Sequence, residues 1–332
     1  MRQATSPGTD PAALPDATAL ERARSRIEGV VRSTPLHHSP WLSEHAGSDV
    51  YLKLECWQET GSFKLRGATN AVAALDRDAR QRGIVTASAG NHGLAVARAA
   101  ALHGIHATVF VPRRAPETKK RRIRRRGATL RETDGGYDAA AAAARAHAEE
   151  TGAHYLHAFV DPDVVAGQGT VGLEILEACP DARRILVPVG GGGLLAGIGA
   201  AVQGAGPGGA GLEVVGVQSS ATRAMHAAFQ ADAVVPVPEE PTLCDGLAGE
   251  TEDLAYARAR QAAQRIVLVD ESAVAAAIRS LYREEGIVAE GSGAVVVAAV
   301  LAGAARAAGP TVALITGGNI DAHVLARILG DD

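Results

Sequence analysis

Short runs of consecutive apolar residues alternate with longer segments that read as helices along most of the chain. The runs are ATVFVP at Ala107–Pro112, then ATLRE, HYLH, RRILVPVG, LEVVGVQ, RIVLVD and TVALITGG. Between them lie a charged helical segment from Glu117 to Arg126 and the segment YDAAAAAARAHAEE. Fully buried strands separated by helices indicate parallel sheets covered on both faces, an α/β fold. Ligands in such folds sit outside the carboxyl ends of the strands, and each glycine-rich loop discussed below follows a strand. The longest apolar run, Gly293 to Ala305, is shorter than the roughly 20 residues a membrane span needs, so it reads as a buried helix. The first twenty residues are rich in Pro, Asp, Thr and Ala and lack the apolar core of a signal peptide; they read as a mobile tail.

Composition narrows this picture. A length of 332 residues suits two packed lobes. With 47% hydrophobic residues, 3% aromatics and 38 glycines, it is an Ala/Val/Leu-rich fold with many tight loops. A net charge of −4 gives no overall field to gather nucleic acid or an anionic membrane. The run from Lys119 to Arg126 holds seven cations in eight residues. No aromatic interleaves it, so it reads as a solvated helix face rather than a nucleic-acid site. Cys56, Cys179 and Cys244 are scattered and odd in number, which fits neither a metal spacing nor a disulfide framework and does fit a reducing cytoplasm.

Four local features carry chemistry. Lys64 sits between Phe63 and Leu65 behind a Thr-Gly-Ser turn. Its stem can pack while the ammonium reaches water, or the amine can be kept uncharged as a nucleophile or base. Gly190, Gly191, Gly192 and Gly193 follow a strand and open a helix near Leu194, an arrangement that cradles phosphate with backbone N–H groups and the helix dipole. The same loop fits G-x-G-x-x-A, but the next strand ends in Gln218 rather than the acidic residue a dinucleotide ribose wants. In SAGNHG, Ser88 and Asn91 with the N–H groups of Ala89, Gly90 and His92 can hold a carboxylate, or can simply cap the following helix. Thr316 precedes Gly317-Gly318-Asn319 and places a hydroxyl at a strand end, where a heteroaromatic nitrogen could meet it; a turn with a capping Asn is the other reading. One ligand uses all four features: pyridoxal phosphate holding an amino acid.

The ordered motifs GSFKLRGA, SAGNHG, VGGGGLLAG, AEGSGA and TGGNID resemble the threonine/serine dehydratase (threonine ammonia-lyase) branch of the fold-type-II, tryptophan-synthase-β-like, pyridoxal-phosphate enzymes. The resemblance runs from about Arg32 to the C-terminus. It implies two open parallel-sheet α/β lobes with the cofactor between them. The large one comprises residues 21–77 and 159–332 and the small one residues 78–158, with no appended regulatory domain. Lys64 would bond the cofactor aldehyde, with Phe63 packed beside it. Asn91 would bond the pyridoxal 3′ oxygen, and Gly190 to Leu194 would bind the phosphate. Thr316 would meet the ring nitrogen, Glu290 would lie near the ring edge, and the Gly246 carbonyl near the active site. Ser88, Ala89, Gly90, Asn91 and His92 would line the substrate carboxylate site.

The implied reaction is β-elimination from L-threonine or L-serine, giving a 2-oxo acid and ammonia, with freed Lys64 removing the α-proton. Phenylserine, a hydroxylated aspartate and racemisation are the alternatives within the resemblance. Ala89 stands where racemase relatives carry a proton-donating serine, which argues against racemisation. Leu94 stands where many relatives carry Gln. Gln218 and Ala224 occupy positions that are acidic in relatives binding a divalent ion, so no metal of that type is expected. The expected partners are a small amino-acid substrate and further copies of the chain, as a homodimer or homotetramer, with no nucleic acid and no membrane.

Overall fold

In the computed structural model, residues 10–306 and 309–330 are described. Among these residues ten strands occur in chain order: β1 Leu36–His38, β2 Val50–Lys53, β3 Ile84–Ala87, β4 Ala107–Pro112, β5 Thr129–Thr133, β6 His154–Tyr155, β7 Arg184–Pro188, β8 Glu213–Ser219, β9 Arg265–Val269 and β10 Thr311–Leu314. They form a six-stranded sheet ordered β1-β2-β10-β7-β8-β9 and a four-stranded sheet ordered β5-β4-β3-β6. All pairings are parallel except β1 with β2. The protein is thus an α/β fold with two open, mainly parallel sheets.

Period-two alternation divides the large sheet between two cores. Leu52, Leu186, Val215 and Ala313 face the helix Gly291–Leu301, which is apolar apart from Ser292 and buried from Gly291 to Val300. Ile185, Val187, Val214 and Val312 face the opposite way, onto Val171 and Ile175 of the helix Pro162–Ala178 and Leu195 and Ile198 of the helix Gly193–Gly204. Each large apolar side chain buried here contributes on the order of 1.5–3 kcal/mol.

Two glycines fix how the lysine-bearing helix Lys64–Ala74 docks. A Cβ on Gly67 would lie 2.7 Å from the Val164 carbonyl oxygen, and one on Gly167 would lie 2.7 Å from the Gly67 Cα. The helix therefore lies backbone against backbone on Pro162–Ala178, and Lys64 at its first position is held by that contact.

Three sequence expectations change. The last strand ends at Leu314, so Thr316 stands two residues beyond it. Strands β1 and β2 add an edge that no apolar run announced, because β1 is only three residues long with both histidines exposed. Of the tail expected over residues 1–20, residues 1–9 lie outside the described residues, but residues 10–20 are held in place. Asp16 caps the helix Ala17–Ile27 by accepting from Ala19 N at 2.7 Å. Leu20, Ala23 and Ile27 form a buried stripe on that helix. Arg258 and Gln261 donate to the carbonyls of Pro11 and Ala12.

Candidate active site

Lys64 opens its helix at the carboxyl edge of the large sheet. The chain reaches that position through an isolated bridge between Ser62 and Gly317, and through the Phe63 N–H donated to the Thr316 carbonyl at 3.0 Å. The half-buried Lys64 amine donates to the Ala158 carbonyl at 3.2 Å and lies 5.1 Å from the centroid of the Phe63 ring. No carboxylate pairs with it among the described residues. Burial therefore acts unopposed and lowers its pKa to about 8.

Gly190 to Gly193 connect β7 to the helix Gly193–Gly204, with Gly192 in the left-handed region at φ +83°. Among the described residues no acceptor takes the N–H groups of Gly190, Gly191 or Gly192, so they are open donors at a helix N-terminus. Phe159 roofs this loop. A Cβ on Gly191 would fall 2.4 Å from the Phe159 ring, and one on Gly193 would fall 2.7 Å from the Phe159 carbonyl oxygen. Gly190 packs against the segment carrying Gly246, whose carbonyl oxygen would lie 3.2 Å from a Gly190 Cβ. Leu194 is turned into the core.

Glu290 and Asn91 meet where the helices Gly291–Leu301 and Asn91–Leu102 begin. Asn91 Nδ2 donates to Glu290 Oε1 at 2.6 Å, and Asn91 Oδ1 accepts from Asn319 Nδ2 at 2.6 Å. Burial first, then the charge of Asp245, raises the Glu290 pKa to about 7, against the lowering effects of Asn91 and Lys119. Gly317 makes room for this carboxyl: a Cβ there would sit 2.2 Å from Glu290 Oε1. The Thr316 hydroxyl is buried and donates to the Ser292 carbonyl at 3.2 Å. The Ser292 hydroxyl in turn accepts from Gly246 N at 2.9 Å.

The loop of Ser88, Ala89 and Gly90 is half-buried, and Ser88 Oγ accepts from Gly90 N at 3.2 Å. His92 is buried, with Nε2 3.3 Å from the Leu156 carbonyl and Nδ1 without a partner. Burial, reinforced by the Lys64 charge, lowers its pKa to about 3, so it is a neutral imidazole. Leu94 packs in the core of the four-stranded sheet. Gln218 is buried, its amide donating to the Val189 carbonyl at 3.0 Å and accepting from His226 N at 2.8 Å.

The structure thus gathers two groups by direct contact: Lys64, Phe63 and Thr316, and Asn91 with Glu290. Gly317 links them, bridging to Ser62 on one side and abutting Glu290 on the other. Sequence reasoning missed Ala158 and Phe159, which lie in an irregular link between β6 and a helix. It also treated Asn319 only as a possible cap.

Comparison with known proteins follows the same outline. A family profile described as pyridoxal-phosphate dependent enzyme matches residues 27–317. L-threonine ammonia-lyase of Thermotoga maritima is 43% identical over 312 residues, covering 93% of this chain and 77% of that protein. Maize serine racemase superposes with a TM-score of 0.90 at 31% identity, covering 95% of this chain and 97% of that one. A threonine deaminase from T.th. gives 0.85 at 35% identity, covering 92% and 99%.

Proposed function

The chain belongs to the pyridoxal-phosphate-dependent enzymes, and we propose that it is a carbon–nitrogen lyase converting a β-hydroxy L-amino acid, L-threonine or L-serine, to a 2-oxo acid and ammonia. The observation that carries this reading is the Lys64 amine, which is desolvated, has no counter-charge, and bonds the carbonyl of Ala158, next to the Phe159 that packs on a glycine loop with open N–H groups.

The residues fit the cofactor. Gly190 to Gly193 offer donors to a phosphate, Asn91 keeps one amide N–H beyond that given to Glu290, and Thr316 offers a buried hydroxyl. When bound, pyridoxal phosphate would supply an aldehyde carbon for the amine and a ring that accepts the electron pair left at Cα. Lys64, about a tenth neutral at pH 7 for a pKa near 8, takes the α-proton as a general base. Ser88 to His92 hold the substrate carboxylate with backbone N–H groups at the start of the helix Asn91–Leu102. His92, uncharged, adds no second cation there. Phe159 and Phe63 exclude water around the amine and the glycine loop. For threonine the net balance is loss of the β-hydroxyl as water, its return at Cα, and release of ammonia.

Ala89 has no proton to deliver to the opposite face of Cα, which favours elimination over racemisation. We divide the chain into a small lobe, 78–158, and a large lobe, 21–77 with 159–332, and place the protein in the cytoplasm as a homodimer or homotetramer. No helix among the described residues is long and apolar enough to cross a membrane. A 2-oxo acid assay over threonine, serine, phenylserine and hydroxyaspartate tests the substrate. Product from none of them defeats the proposal. Light scattering gives the assembly.

A further inference from the structure

The basic run Lys119 to Arg126 plays no part in the reaction above, yet it is not a free cationic face. Ile123 buries the helix Glu117–Arg124 against the four-stranded sheet. Lys120 and Arg124 pair with Glu117 and Glu132 on that side. Three other cations reach loops and turns outside the four-stranded sheet: Lys119 to Asp245 at 2.5 Å, Arg126 to Glu59 at 2.7 Å, and Arg122 Nη2 to Asn319 Oδ1 at 2.5 Å.

The last contact continues inward. Asn319 Nδ2 donates to Asn91 Oδ1 at 2.6 Å and to the Thr60 carbonyl at 2.9 Å, and Asn91 Nδ2 donates to Glu290 Oε1 at 2.6 Å. A primary amide can present either end; its partners decide which. A guanidinium has donors only and a carbonyl accepts only, so Arg122 and the Thr60 carbonyl together turn the Asn319 oxygen outward and its nitrogen inward. Asn91 must then turn its oxygen to Asn319 and its nitrogen to Glu290, which leaves one amide N–H uncommitted.

We infer that Arg122 is a positioning residue: acting through Asn319 and alongside the Thr60 carbonyl, it holds the orientation of Asn91 that presents an N–H, rather than a carbonyl, to the cofactor oxygen. This rests on the proposed role of Asn91. Arg122→Met removes the outer donor, and Arg122→Glu attracts the Asn319 nitrogen and turns the relay round. Arg122→Lys keeps a donor, and Arg121→Met removes a neighbouring charge outside the relay.

The test is spectroscopic titration of the cofactor-free protein with pyridoxal phosphate. Arg122→Met should raise the dissociation constant about tenfold, the loss of one charge-assisted hydrogen bond. Arg122→Glu should raise it further, Arg122→Lys by less than about threefold, and Arg121→Met not at all. Equal effects of Met and Glu at position 122, or an equal loss from Arg121→Met, overturn the inference. A second readout needs no cofactor. In urea unfolding, Arg122→Met and Glu290→Ala, which removes the acceptor of the Asn91 amide, should be non-additive although two amides separate them, since each breaks the same chain. Additivity overturns the relay. Wild-type protein that takes up no pyridoxal phosphate defeats the reading of the site instead, and the unfolding cycle still judges the relay.

Discussion

Lys64 Nζ rests 3.2 Å from the carbonyl oxygen of Ala158, so among the described residues the hydrogen-bond partner of this amine is neutral. A carboxylate there would hold the ammonium charged; a carbonyl leaves desolvation to decide, and the pKa falls to about 8. Lys64→Ala and Lys64→Arg should both abolish turnover by at least about 10³-fold, since arginine keeps the charge but gives up no proton. Borohydride treatment of the wild type should leave a reduced cofactor adduct on Lys64 that mass spectrometry locates. An adduct on another lysine would sink the assignment. The same shift bears on stability. Between pH 8 and 10.5 the unfolded chain binds a proton at this lysine that the folded chain has lost, so the lysine weakens the fold below pH 8 and ceases to do so above 10.5. Cofactor-free Lys64→Met should therefore be more stable than wild type at pH 7, by about 1–3 kcal/mol, with the gain shrinking as pH rises above 8 and gone above 10.5.

Glu290 carries the opposite charge but the same kind of penalty. Its folded pKa of about 7 exceeds the ordinary carboxylate value of 4.5. The folded state holds the proton longer than the unfolded chain, so stability falls as pH rises from about 4.5 to 7 and stays lower above that. The groups acting on it are Asp245, which strengthens the effect, and Asn91, Lys119 and the Asn319 backbone N–H, which oppose it. Glu290→Gln should match wild type near pH 4 and exceed it by about 1–3 kcal/mol at pH 8 in urea unfolding. Parallel curves for the two proteins across that range would show that the carboxyl is not held proton-bound by its surroundings.

Phe159 and the glycine loop make a paired prediction. Gly191→Ala drives a methyl to 2.4 Å from the Phe159 ring, a side chain that can be shortened. Gly193→Ala drives one to 2.7 Å from the Phe159 carbonyl oxygen, which cannot be shortened. Each single substitution should weaken pyridoxal phosphate binding by about tenfold or more, as overpacking of this size costs about 1–3 kcal/mol. Adding Phe159→Ala should restore much of the binding to Gly191→Ala and little to Gly193→Ala. Equal rescue of both would mean that the ring is not what the loop is built against.

The glycine loop is legible in the sequence because four glycines after a buried strand exceed what a turn requires, and the strands are legible because both faces of a parallel sheet are apolar. Lys64 is legible only as a question. Its isolation from carboxylates is a fact of tertiary structure, made by Ala158 from 94 residues away. Phe159 leaves no local trace, since one aromatic in an irregular link has no period to betray it. The basic run is legible as a solvated face, with Arg121, Arg122, Arg124 and Arg125 exposed, but its partners Asp245, Glu59 and Asn319 come from distant segments of the chain. Helix Ala17–Ile27 is hidden by the Pro- and Asp-rich residues before it, although Leu20, Ala23 and Ile27 already share one face.

Two residues after Lys64, Arg66 is 1% exposed and joins a buried charge network. It binds both oxygens of Glu55, at 2.8 and 2.7 Å, and both oxygens of Glu174, at 2.7 and 3.0 Å. Lys53 also pairs with Glu174, at 2.5 Å. Two cations and two carboxylates balance, which is what permits their burial. The cost of disruption then depends on what is left unpaired. Arg66→Met leaves Glu55, fully buried, with only Thr34 and Gln58, and should destabilise the fold by about 3–5 kcal/mol. Adding Glu55→Gln removes the stranded charge and should return more than half of that loss, as read by urea unfolding. If the double variant is no more stable than Arg66→Met, the arginine holds the lysine-bearing helix by packing rather than by charge. In that case the pairing with Glu55 is incidental to how Lys64 is presented.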